Sequence, residues 1–196
     1  MGVIPNILHR TLPKVPRHDV PDIWATVVKH TDGWERRTYQ SPRNPADWPI
    51  TGHLFGKCHD RAMEANLVRL EALWVHGGVY VDSDVSLVRP LEPLLDTPFF
   101  IGWECGQWLG TAVIGAVPEH PATGAALEAM MRHVEAGGER SSSPKVLTPV
   151  LAGRDDVTTM PVKTFYKLPF GFRHEWPDYS SDLDVFTIHH WHASWM

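Results

Sequence analysis

Residues 60–84 constrain this chain more than any other stretch. Met63, Leu67, Leu70 and Trp74 recur at helical spacing over residues 60–76, and Gly77-Gly78 supplies the stop, since glycine takes the left-handed backbone that ends a helix without a Cβ clash. Val79-Tyr80-Val81 then reads as a short β-prone strand, and it delivers Asp82-Ser83-Asp84 at its end. A helix turned by two glycines into a buried strand is half of an α/β layer, so the rest of the chain must supply a sheet for that strand to join.

The flanking sequence does so. Residues 3–9 form an apolar run suited to a first strand, and Asp19 followed by Pro21 predicts a helix start whose apolar face carries Ile23, Val27 and Val28. Residues 34–39 suit a second strand and residues 41–52, rich in Pro, Asn and Asp, a loop. Beyond the acidic pair, residues 85–88 stay extended as far as Pro90, and residues 99–103 and 111–117 read as strands. Residues 121–135 carry Leu127, Met130, Met131 and Val134 on one helical face, residues 144–151 suit a shorter helix, and residues 184–195 a final strand and tail. Strands and helices interleave, which predicts an α/β fold with a mainly parallel central sheet flanked by helices. At 196 residues, 43% of them hydrophobic, the expectation is one domain spanning residues 1–196.

Charge and composition narrow the partners. A formal charge of -5 without a Lys/Arg-rich run gives no general attraction to phosphodiester backbones, so nucleic acid is not expected as a partner. Cys58 and Cys105 are too few for a disulfide scaffold and too far apart for a C-x-x-C site. No basic segment followed by an apolar run opens the chain and no stretch approaches the length of a membrane span, so a cytoplasmic protein without an integral membrane segment is expected.

Two aspartates one residue apart at a strand end suit a hard divalent cation. Mn²⁺ or Mg²⁺ prefers carboxylate oxygens and needs few from the protein when phosphate oxygens and water complete the shell. A leaving diphosphate is the group such an ion would neutralise. Asn66 and Arg69, three apart, share a face of the preceding helix away from the Met63–Leu67–Leu70–Trp74 stripe, leaving Arg69 to reach a phosphate or sugar hydroxyl, or to make a surface salt bridge with Glu71 or Asp60.

The block Ala65-Asn66-Leu67-Val68-Arg69, continued through Gly77-Gly78-Val79-Tyr80-Val81-Asp82-Ser83-Asp84, resembles the signature of glycosyltransferase family 32, which includes yeast Golgi mannosyltransferases and is related to the clostridial glucosylating toxins. Ile4-Pro5-Asn6-Ile7-Leu8-His9, Ser143-Pro144-Lys145-Val146-Leu147-Thr148 and the closing His189-His190-Trp191-His192-Ala193-Ser194-Trp195 are similar to further family segments in the same order. The resemblance implies a GT-A-type nucleotide-sugar-binding fold and transfer of a hexose, with retention, from a UDP- or GDP-hexose to a carbohydrate or protein acceptor. It implies that Asp82, Asp84 and Arg69 are catalytic, that Thr11, Asn66, Arg69, Asp82, Ser194 and Trp195 contact the donor, and that Asp82, Asp84 and His189 hold the metal. Alternation along a strand lets only one of His189 and His190 point inward, and it permits His189 without forcing it.

The chain departs from that pattern in places. Asn66 stands where the family usually has Asp, Leu12 where many members have a base-stacking Trp, Thr111 where Asn is common, and Ser143 replaces a Gly. These positions bear on the sugar and the base more than on the metal and diphosphate. Two other readings of the same residues exist. Residues 79–86 also fit a haloacid-dehalogenase-like phosphatase, with Asp82 as nucleophile, Asp84 as acid/base and Lys145 and Asp155-Asp156 in the remaining roles. A non-catalytic sugar-nucleotide-binding domain is the third. An EF-hand fails because Leu87 occupies the position that needs Gly.

Overall fold

A computed structural model describes residues 3–139, 143–173, 175 and 177–192. Its core is a six-stranded sheet in the order β2-β1-β3-β6-β5-β7, where β1 is Ile7–Leu12, β2 Glu35–Gln40, β3 Gly78–Val81, β5 Phe99–Trp103, β6 Leu109–Ala116 and β7 Thr158–Met160. The β1–β2, β1–β3 and β5–β7 pairs are parallel, whereas β6 runs against both β3 and β5. All but one strand therefore point the same way, as the interleaved pattern predicts. A separate two-stranded ribbon pairs β4 (Val85–Leu87) antiparallel with β8 (Thr187–His189).

Helices α1 (Val20–Lys29), α2 (Arg61–His76), α3 (Pro121–Glu135), α4 (Ser143–Leu151) and α5 (Val162–Tyr166) cover the two faces. Leu67, Leu70, Tyr80, Ile114, Leu127 and Leu147 belong to one apolar cluster, with α2, α3 and α4. Leu8, Val27, Val79, Val81, Val113 and Phe165 belong to the other, with α1 and α5. The β3 sequence explains the split, since Val79 and Val81 face one way and Tyr80 the other.

Because α1 connects β1 to β2 over one face and α2 connects β2 to β3 over the opposite face, the chain reverses direction between β1 and β3. Open α/β sheets place ligands outside the carboxyl ends of the strands at such a switch point. Thr11 lies near the end of β1 and Asp82 directly follows β3 at that place.

Some elements differ from expectation. The first strand begins at Ile7 rather than residue 3, for Pro5 has no N–H to give a ladder, and the Ile4 amide donates instead to Leu95 O at 3.0 Å. Asp19 precedes α1 but its side chain makes no capping bond there. The last strand is only Thr187–His189 and joins β4 rather than the main sheet. β7 and α5, of three and five residues, are too short to show a period in the sequence.

Candidate active site

Two glycines bring the acidic pair into place. Gly77 (φ 63°) ends α2 by donating its N–H to Leu73 O at 2.9 Å. Gly78 (φ 98°) passes so close to β1 that a Cβ would meet Ile7 O at 2.3 Å. β3 then runs beside β1, and the Asp82 amide donates to Ala112 O at 2.8 Å, so the strand's hydrogen bonding continues into the first aspartate.

Asp82 is held from two sides. Arg69 Nη2 donates to its Oδ1 at 2.8 Å, and the Tyr80 hydroxyl donates to the same oxygen at 2.8 Å. With that proton committed, the Thr11 hydroxyl must donate to the Tyr80 oxygen, 2.7 Å away. Arg69 is 5% exposed and also donates to the Thr111 carbonyl. The expected outer face for Arg69 is thus a buried one, since α2 is covered continuously from Met63 to Leu73, and its ionic partner is Asp82 rather than Glu71 or Asp60. Glu71 is occupied elsewhere, accepting from the Ile50 and Thr51 amides and the Thr51 hydroxyl.

Asp84 is held by the C-terminal segment. The His190 amide donates to the Asp84 carbonyl at 2.8 Å and the His192 amide to Asp84 Oδ2 at 2.8 Å. His189 Nε2 lies 3.4 Å from the same oxygen. His190 turns the opposite way, its Nε2 2.9 Å from Ser86 Oγ, as alternation along β8 requires. Burial raises the Asp82 carboxyl above the ordinary range, and the nearby Asp84 charge pushes the same way while Arg69 opposes. Burial would raise Asp84 too, but His189 and the His192 amide hold it well below. For His189 burial works against protonation, yet the neighbouring Asp84 and Asp82 leave its pKa raised.

Ligand atoms of Asp82, Asp84 and His189 all lie within 4.8 Å of one another, the only such His/Cys/Asp/Glu group among the described residues. His189 Nδ1 is buried without a hydrogen-bond partner among them. Two carboxylates and an imidazole suit Mn²⁺, and Mg²⁺ less well because it favours oxygen. The donor set therefore fits a divalent cation.

These groups line a cleft of about 790 Å³. Thr11, Asn66, Arg69, Asp82, Asp84 and His189 all face it, with Thr111 and Ser143 paired at 3.0 Å through their hydroxyls. Lys145, Asp155 and Asp156 do not line it, and Asp156 is bound to Arg154, so the phosphatase roles have no constellation here. Ser194 and Trp195 lie outside the described residues. Sequence reasoning did not select Tyr80, Glu104, Phe170 or Trp191, the last three of which also line the cleft. Tyr80 was within reach, because a residue two before Asp82 on a strand shares its face.

Residues 19–100 match the family model described as a glycosyltransferase sugar-binding region containing a DXD motif. That motif is the Asp82-Ser83-Asp84 turn at the switch point. In this stretch the chain is similar to DXD-type glycosyltransferases, those of family 32 among them. Similar proteins include two mannosyl phosphorylinositol ceramide synthases of Saccharomyces cerevisiae. One is 28% identical over 129 residues (61% of this chain, 32% of that protein), the other 24% over 143 residues (61% and 33%). An alpha-1,4-N-acetylglucosaminyltransferase of Homo sapiens is 25% identical over 83 residues (42% and 23%). The chain thus spans no more than 33% of the length of these three relatives. Among solved structures, the galactosyltransferase LgtC with donor and acceptor sugar analogs superposes with a TM-score of 0.55 at 11% identity, covering 93% of this chain and 86% of that one. The PaToxG glycosyltransferase superposes at 0.54 with 12% identity, covering 76% and 68%. The fold is accordingly GT-A. Among the described residues no helix is long and apolar enough to cross a membrane.

Proposed function

We propose that this chain is a glycosyltransferase domain that moves a hexose from a UDP- or GDP-hexose to a carbohydrate or protein acceptor, with retention of anomeric configuration and with Mn²⁺ or Mg²⁺. One observation carries the reading: Asp82, Asp84 and His189 converge at the carboxyl end of β3, inside the cleft that Arg69, Asn66 and Thr11 also line. Asp82, Asp84 and His189 are the residues that would hold the cation. When bound, it supplies positive charge to the diphosphate as the anomeric C–O bond breaks.

The chain's own residues set the conditions for that step. Arg69 keeps Asp82 oriented and adds a fixed positive charge beside the cleft, while Tyr80 and Thr11 lock the same carboxylate from the β1 side. Pre-aimed groups of this kind need no reorganisation when charge develops. Asn66, Thr11 and Arg69 are assigned to the donor, and so are Ser194 and Trp195 by resemblance alone. The experiment is release of nucleoside diphosphate from a panel of UDP- and GDP-hexoses. We expect release from one donor class with Mn²⁺, abolished by a chelator and lowered about 100-fold or more in Asp84→Asn, since even outer-shell metal partners cost 10–100-fold. Release indifferent to metal and to Asp84→Asn would refute the proposal.

A further inference from the structure

Two non-glycine residues among those described have a left-handed backbone, Glu119 (φ 55°) and Trp191 (φ 54°). Glu119 occupies an exposed turn before α3, where such geometry is ordinary. Trp191 is different: a bulky residue at positive φ is a genuine outlier, and such outliers persist only where surroundings over-determine them.

The surroundings of Trp191 do so. Its indole Nε1 donates to Leu168 O at 2.7 Å, and its ring lies 4.1 Å from that of His189 and 6.0 Å from that of Tyr166, centroid to centroid. The consequence falls on Asp84. β8 runs antiparallel to β4 with His189 opposite Val85, and an extended chain would carry residues 190–192 straight on past the acidic turn. The His190 amide still meets the Asp84 carbonyl at 2.8 Å as the next rung of that ladder, and the left-handed step at Trp191 then turns the backbone so that the His192 amide meets Asp84 Oδ2, also at 2.8 Å.

We propose that Trp191 is the positioning residue that fixes Asp84 and His189 as a pair of cation ligands, through its backbone turn on one side and its ring on the other. This rests on the reading of Asp84 and His189 as cation ligands given above. Trp191 itself holds no cation. Ligands held from behind in this way bind metal more tightly because less order has to be imposed on binding.

The test is Mn²⁺ uptake by the full chain, followed by the loss of the free-ion electron paramagnetic resonance signal, without nucleotide. Trp191→Ala should bind about tenfold more weakly, the low end of what outer-shell partners cost. Trp191→Asn also lacks the ring, but Asn tolerates positive φ, so it should recover about threefold of that loss. Loss of packing alone would weaken both alike, and equal affinities for Ala and Asn overturn the proposal. Wild-type affinity in Trp191→Ala overturns it too. Should Trp191→Ala fail to fold by circular dichroism, Trp191→Phe keeps a ring and loses the bond to Leu168 O. There an affinity reduced about threefold supports the lock, and an unchanged one refutes it. Asp84→Ala separates the two levels: if that variant binds Mn²⁺ as wild type does, the cation site itself is wrong and the role of Trp191 falls with it. Binding lost in Asp84→Ala but intact in Trp191→Ala overturns only the positioning role.

Discussion

Arg69 and Asp82, thirteen residues apart, form a 2.8 Å ion pair across the junction of α2 and β3, with Arg69 6% and Asp82 21% exposed at the side chain. The pair welds the helix to the strand that carries the acidic turn. It also keeps one carboxylate compensated beside a second.

Removing the arginine should therefore cost both stability and function. Arg69→Met leaves Asp82 beside Asp84 without its guanidinium partner, and breaking a buried pair costs roughly 3–5 kcal/mol. Because Asp82 is partly exposed, the lower end applies. Urea unfolding of the metal-free chain should show it, and a loss under about 1 kcal/mol would mean the pair is only a surface contact.

The turn before β3 is equally exacting. At Gly78 a Cβ would sit 2.3 Å from Ile7 O, with φ at 98°, so Gly78→Ala meets both a clash and an unfavourable backbone. A destabilisation of about 2–3 kcal/mol is expected by thermal or chemical unfolding. A neutral effect would mean that β1 and β3 are spaced more widely than described.

His9 gives a pH signature separate from the metal site. It is fully buried, and its Nε2 donates to Gly77 O at 2.8 Å, so Nδ1 accepts from the Tyr39 hydroxyl at 2.9 Å and the ring is neutral. Burial lowers its pKa to about 4 from the usual 6.5. In that window the unfolded chain binds a proton that the folded one refuses. His9's contribution is full above pH 6.5 and lost as pH falls toward 4, by about 3 kcal/mol in all. His9→Gln, which retains a donor for Gly77 O, should flatten this part of the slope. Identical slopes in the two proteins would show that His9 is not buried neutral.

How much of this was legible beforehand depends on range. α2 and the strand after it could be read because Met63, Leu67, Leu70 and Trp74 mark a helical period and two glycines punctuate its end. Arg69 was misplaced for the same reason: periodicity assumes one wet face, and α2 is packed on nearly all of its faces between Met63 and Leu73. Asp19 looked like a cap, yet its carboxylate lies 3.1 Å from His192 Nε2, a contact between chain ends that no local pattern encodes. The same holds for Asp84 and His189, which only the β4–β8 pairing brings together. Alternation could say that one of His189 and His190 faces inward, but choosing between them required that register.

If Asp82, Asp84 and His189 hold a divalent cation that couples the chain to a nucleoside diphosphate, nucleotide binding requires the metal. The most direct test is the unfolding midpoint of the full chain with UDP or GDP, with and without Mn²⁺, since a ligand bound only by the folded state at 100 times its Kd stabilises by about 2.7 kcal/mol. The expected result is a rise with one nucleotide that requires Mn²⁺ and disappears in Asp84→Ala and His189→Ala. A rise of equal size without metal, or one retained in both variants, would contradict it.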